Sequence, residues 1–121
     1  MKLSETELLH QLILRAPAVL PDVRVFRRNV GLFRSLEGKR AIYIGVEGQC
    51  DAYALLRGGR HIEIEAKAAK GTLANAQKAW RAWCERWDVP YLVIRARRDE
   101  TPDETVNRWI DELRAVVESC K

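Results

Sequence analysis

His61-Ile62-Glu63-Ile64-Glu65-Ala66-Lys67 alternates apolar and polar residues without a break. Side chains on a β-strand point to opposite faces in turn, so Ile62, Ile64 and Ala66 share one face, and His61, Glu63, Glu65 and Lys67 share the other. The two isoleucines mark the first face as part of a packed sheet. The second face carries two carboxylates and an ammonium. Gly58-Gly59 just upstream is a tight hairpin signal, so residues 60–67 pair with a preceding strand over 51–56. Asp51 lies on that hairpin arm at a separation that lets its carboxylate meet Glu65. Two carboxylates and a lysine held together suit a hard divalent cation with a lysine beside its water, which is the chemistry of phosphodiester cleavage. Glu63 shares the face and rivals Glu65 as a ligand, but its spacing to Lys67 is one strand repeat too long for a Glu-x-Lys pair.

Upstream, Ser4 reads as a helix N-cap with Glu7 at the third helical position. Leu8, Leu9, Leu12 and Ala16 then form one apolar face of a helix expected to stop before Pro17. At about 100° per residue, Glu5 falls on the arc of Leu9, Leu12 and Ala16. Such a carboxylate, aimed toward the core side, calls for a cationic partner. Glu7 points the other way. Residues 23–30 read as a first strand, 31–39 as a turn or mobile loop, and 41–46 as a second strand. Downstream of Lys67, a helix is expected from Gly71-Thr72 to about Trp87, with Thr72 as N-cap. Gln77, Trp80, Cys84 and Trp87 lie within one arc of it. Residues 91–94 form a short apolar strand. A final helix begins at Pro102, the favoured first helical position, with Val106, Trp109, Ile110, Leu113 and Val117 facing inward.

A chain of 121 residues, 47% hydrophobic and 31% charged, is read as one soluble α/β domain over 1–121. No apolar run approaches the roughly 20 residues of a membrane helix, and the N-terminus carries no apolar signal-peptide core, so the expectation is a cytoplasmic protein. Cys50, Cys84 and Cys120 have no metal-ligand spacing and read as buried or idle thiols. The net charge of +4 permits a polyanionic partner without demanding one.

Three short motifs in order carry a family resemblance: Gly48-Gln49-Cys50-Asp51, then Ile64-Glu65-Ala66-Lys67, then Gln77-Lys78-Ala79-Trp80. Together with Arg27-Arg28-Asn29-Val30-Gly31 and the helix-borne Glu5, they resemble the VRR-NUC domain of the PD-(D/E)XK nuclease superfamily over about residues 4 to 96. The resemblance implies a restriction-endonuclease-like α-β-β-β-α-β core, its mixed central sheet flanked by helices and followed here by a C-terminal helix. It implies that Asp51, Glu65 and the backbone carbonyl of Ala66 hold Mg²⁺ or Mn²⁺, with Glu5 completing the shell directly or through water. Lys67 would orient or help deprotonate the attacking water, and Gln77 would complete the catalytic set of Glu5, Asp51, Glu65, Lys67 and Gln77.

A stand-alone domain of this size is similar to phage or prophage proteins that act, like Holliday-junction resolvases, as homodimers on branched DNA. Arg27, Arg28, Asn29, Lys70 and Thr72 are the candidate nucleic-acid contacts, each with an exposed polar side chain as the plain alternative. Trp83 is the candidate dimer contact, and His10 and His61 read as surface residues. The rival functions are a catalytically inactive nucleic-acid-binding module and a nuclease acting on flaps or other DNA.

Overall fold

The computed structural model describes residues 3–35, 37–38 and 40–120. The N-terminal Met1-Lys2 and positions 36 and 39 of the expected 31–39 loop lie outside the described residues. Among the described residues the elements follow one another as α1 (Glu5–Val19), β1 (Val23–Arg27), β2 (Gly31–Arg34), β3 (Ala41–Ile44), β4 (Ala52–Leu56), β5 (His61–Lys67), α2 (Asn75–Arg86), β6 (Tyr91–Arg95) and α3 (Pro102–Ser119). The fold is mixed α/β, with helices packed around a mixed sheet.

Strand β5 is the hub. It pairs antiparallel with β4 (Ala52 opposite Ile64, Ala54 opposite Ile62) and parallel with β6 (Ala66 opposite Ile94), and β1 completes the order β1-β4-β5-β6. The alternation in the sequence becomes two differently furnished faces. Ile62, Ile64 and Ala66 join Val23, Val25, Ala52, Ala54 and Ile94 beneath the apolar faces of α1 and α3, where Leu12, Trp109 and Leu113 are fully buried. Each buried valine, leucine or isoleucine among them contributes about 1.5–3 kcal/mol by leaving water. Helix α2 lies on the opposite face, over Glu63 and Glu65, to which its side chains bond.

The ends of the elements depart from the sequence expectations for local reasons. Helix α1 runs through Pro17 to Val19, and the Leu20 N–H closes it on the Ala16 carbonyl at 2.7 Å. A proline in the last turn removes one donor, and Ala16, fully buried against the sheet, keeps its helical conformation despite preceding proline. Ser4 caps α1 as expected, its Oγ accepting the Glu7 N–H at 3.2 Å. Helix α3 starts at Pro102, and Thr101 and Glu104 exchange reciprocal hydrogen bonds around that start.

Helix α2 begins at Asn75, later than expected. Thr72 does not cap it. Ala74 holds the N-cap position, and Gln77 Oε1 accepts the Ala74 N–H at 2.8 Å. That glutamine, at the third helical position, makes the reciprocal half of a capping box, and no side chain caps the first helical N–H groups. Asp88, at φ 57°, reverses the chain after the helix.

The largest departure is the 31–46 segment. Gly31–Arg34 is strand rather than loop, and β3 does not enter the central sheet. The two form a separate antiparallel ribbon, Leu32 opposite Tyr43 and Phe33 opposite Ile42. Leu32, Phe33, Ile42, Tyr43 and Ile44 are all exposed on it.

Candidate active site

Every residue of the expected catalytic set gathers around the C-terminal end of β5. Asp51 is an exposed residue one position before β4, a strand in which Ala52, Ala54 and Leu56 are buried. The β4–β5 register, extended by one residue, sets it opposite Glu65. Its N–H donates to Glu65 Oε2 at 3.2 Å, and its own Oδ2 accepts the Ala66 N–H at 3.4 Å. From the other side, Gln77 Nε2 donates to Glu65 Oε1 at 2.7 Å. Gln77 is itself fixed through Oε1 on Ala74, so one amide joins the start of α2 to the carboxylate. Lys67 Nζ stands 3.8 Å from Glu65 Oε1. Glu5, from the first turn of α1, lies close enough to feel the charges of both Asp51 and Lys67.

Gly48 explains how the turn before Asp51 reaches α2. At φ 90°, a Cβ there would lie 2.2 Å from the Ala76 carbonyl oxygen. Only a residue without a side chain allows this backbone to rest on the first turn of the helix. The Gly-x-x-Asp spacing thus brings Asp51 and Gln77 to the same carboxylate.

The electrostatics separate two glutamates on one strand face. Glu65 is 1% exposed, and its pKa is pushed up to about 7, first by burial and then by the Asp51 charge; the Asp51 N–H and the Lys67 ammonium pull back. Glu5 is raised for the same reasons, partial burial and then Asp51, against Lys67. Glu63 is 0% exposed, yet its pKa is lowered. Burial alone would raise it, but donors surround it. Arg28 bonds both oxygens at 2.6 and 2.9 Å, Trp80 Nε1 donates at 2.9 Å, and His61 Nε2 completes the set. Glu63 is a saturated structural carboxylate, and Glu65 is the one with negative charge left over.

The arginine of that pair was read from sequence as a nucleic-acid contact. Three of its five N–H donors are engaged within the fold: two bond Glu63 and one the Cys50 carbonyl at 3.2 Å, and the guanidinium lies over the Tyr53 ring at 4.9 Å. No signal along the chain links Arg28 to Glu63; only the β1-β4-β5 pairing brings them together. His61 stacks on Tyr53 and bonds Glu63, so it is part of the same network.

Two cavities flank Glu5. One, of about 220 Å³, is lined by Glu5, Asp51, Ala66, Arg27, Arg28 and Asn29 among others. The second, of about 520 Å³, has an apolar floor with Lys70, Arg97 and Arg98 on its lining. Thr72 lines neither. Trp83 stacks between Trp80 and Trp87, at 4.8 and 5.0 Å, and Trp87 is two-thirds exposed. Cys50 and Cys84 are buried free thiols, both pushed up in pKa by burial, Cys84 to about 11.

Among the described residues, no three His, Cys, Asp or Glu side chains are grouped to hold a metal ion by themselves. Mg²⁺ does not need such a cage; it keeps several waters and binds through one or two carboxylates. Asp51, Glu65 and the adjoining Ala66 backbone supply that donor type, and the bond from the Asp51 N–H to Glu65 Oε2 holds the two acids side by side. The donor set fits a hard divalent ion.

No protein-family model matches the chain, and no curated protein matches it either. Among the described residues, no helix is long and apolar enough to cross a membrane.

Proposed function

We propose that the chain is a metal-dependent endonuclease of the PD-(D/E)XK type, similar to VRR-NUC domains, that hydrolyses phosphodiester bonds in branched DNA as a cytoplasmic homodimer. The observation that carries the reading is Glu65: a buried carboxylate beside Asp51, braced by Gln77, with Lys67 on the same face and its pKa up at about 7. The element order supports it. With the β2–β3 ribbon set aside as an insertion, α1-β1-β4-β5-α2-β6 follows the α-β-β-β-α-β order of that superfamily, and α3 is the extra C-terminal helix.

Asp51, Glu65 and the Ala66 carbonyl would hold Mg²⁺ or Mn²⁺, with Glu5 reaching it directly or through water. The ion would supply a water of lowered pKa and neutralise phosphate charge. The chain's own residues do the rest. Gln77 keeps the Glu65 carboxylate turned toward Asp51. Lys67 orients the attacking water and meets the charge that grows on phosphate as the new P–O bond forms and the old ester bond breaks. The smaller cavity, with Arg27 and Asn29 on its wall, and the groove bearing Lys70, Arg97 and Arg98 would take the flanking phosphates. The exposed apolar ribbon favours the homodimer: a free two-stranded hairpin is marginal in water, and an apolar surface on it gains by being covered.

Labelled four-way junction, flap and linear duplex, each incubated in Mg²⁺ and in Mn²⁺, test this beside Lys67→Ala and Glu65→Ala. Symmetric cuts near the junction centre, lost in both variants, are expected. Cutting of flap or linear DNA alone would refute the junction preference. Binding without metal-dependent cutting of any substrate would favour an inactive nucleic-acid-binding module.

A further inference from the structure

We propose that Arg28 is a positioning residue for Asp51: its side chain, anchored on buried Glu63, holds the 50–51 turn where the Asp51 carboxylate meets Glu65. The consequence for activity rests on the nuclease reading; the structural clamp does not.

Arg28 grips that turn twice. Its backbone N–H donates to the Asp51 carbonyl at 2.7 Å, extending the β1–β4 pairing by one residue. Its Nη1 donates to the Cys50 carbonyl at 3.2 Å. The guanidinium is held in turn by both oxygens of Glu63, a carboxylate with no exposed surface, which also takes Trp80 Nε1 from α2. One rigid fork therefore ties β1, the turn before β4, β5 and α2 together within two residues of Glu65. Asp51 needs this. It is exposed and precedes its strand, so the β4–β5 ladder alone does not fix it. An arginine suits the task because its planar donors bond Glu63 through two nitrogens while one of them also reaches a carbonyl; a lysine ammonium cannot reproduce that geometry. With three of its five N–H donors committed within the fold and its side chain 17% exposed, Arg28 is less available to a phosphate than the exposed Arg27 beside it.

Arg28→Ala leaves Glu63 buried without its cation and risks unfolding, so Arg28→Lys is the informative variant. Three quantities are compared with the wild type: amide hydrogen exchange at Asp51, Mn²⁺ affinity by calorimetry, and four-way-junction affinity in Ca²⁺ with its salt dependence. The expected result is at least about tenfold faster exchange at Asp51 with Ile62 and Ile64 unchanged. Mn²⁺ affinity falls about 10–100-fold, and junction affinity stays within about twofold. Exchange and Mn²⁺ affinity at wild-type levels would overturn the proposal. So would weaker junction binding with a salt slope reduced by about one and intact Mn²⁺ binding, which would make Arg28 a phosphate contact. If the wild type neither binds Mn²⁺ nor cuts DNA, the nuclease reading fails. The exchange comparison then decides the clamp alone: faster exchange at Asp51 sustains it and unchanged exchange overturns it.

Discussion

Glu63 and Glu65 stand two residues apart on one face of β5, both almost completely buried, both beneath α2. One has a lowered pKa and the other a raised one. Burial pushes both the same way, so the difference lies in the neighbours. Around Glu63 are an arginine fork, an indole N–H and an imidazole. Around Glu65 are one amide from Gln77, one backbone N–H, a lysine at 3.8 Å and a second carboxylate. Saturating a buried carboxylate with donors makes it part of the scaffold. Leaving it undercompensated beside another acid leaves an attraction for a cation.

The largest effect that would sharpen this contrast is on chemistry. Lys67→Ala should lower single-turnover cleavage about 10²–10⁴-fold with little change in thermal stability, since Lys67 sits at the undercompensated end. At the saturated end the loss should be in stability instead. Glu63→Ala should cost about 3–5 kcal/mol in denaturant unfolding, because Arg28 is left half-buried without its acid. Glu65→Gln, measured without metal, should cost little or stabilise. Equal losses for the two would break the contrast.

Gly48→Ala should cost about 1–3 kcal/mol in the same unfolding measurement. It adds a Cβ against the Ala76 carbonyl at a left-handed φ, and it should weaken the Asp51–Gln77 arrangement as well.

The pH dependence of stability in EDTA should show the opposite signs directly. Glu65, raised on folding from 4.5 to about 7, costs nothing below about pH 4.5; its penalty grows above that and is complete beyond about pH 7. Glu63, lowered on folding, contributes stability above the ordinary glutamate range and loses it as pH falls. In Glu65→Gln the decline between about pH 5 and 7 should flatten, and in the wild type Mn²⁺ should remove it. The smallest effect belongs to Thr72→Ala, within about 0.5 kcal/mol, because Thr72 is exposed and caps nothing.

What could be read along the chain was what strand alternation and capping chemistry determine locally. The two faces of β5, the Gly58-Gly59 hairpin, the Ser4 cap and the Pro102 start are of this kind, and the meeting of Asp51 with Glu65 and Lys67 follows from the first two, whereas Gln77's place beside them came only from the family resemblance. The β2–β3 ribbon was not legible. Gly31–Arg34 is four residues with no alternation of apolar and polar side chains, because neither face of the ribbon is buried. The true start of α2 was hidden because no side chain before it caps its first N–H groups; Gln77, inside the helix, accepts only the Ala74 N–H. Arg28's partner could not be found because it lies 35 residues away on a strand that β1 never touches.

Thermal unfolding of the wild type and Asp51→Asn, each titrated with Mn²⁺, is the most direct test of whether the Glu65 end of the strand is a cation site. Mn²⁺ is expected to raise the wild-type Tm progressively with concentration and to leave Asp51→Asn unmoved, both proteins remaining folded. A wild-type Tm indifferent to Mn²⁺, or an equal rise in both proteins, would contradict it.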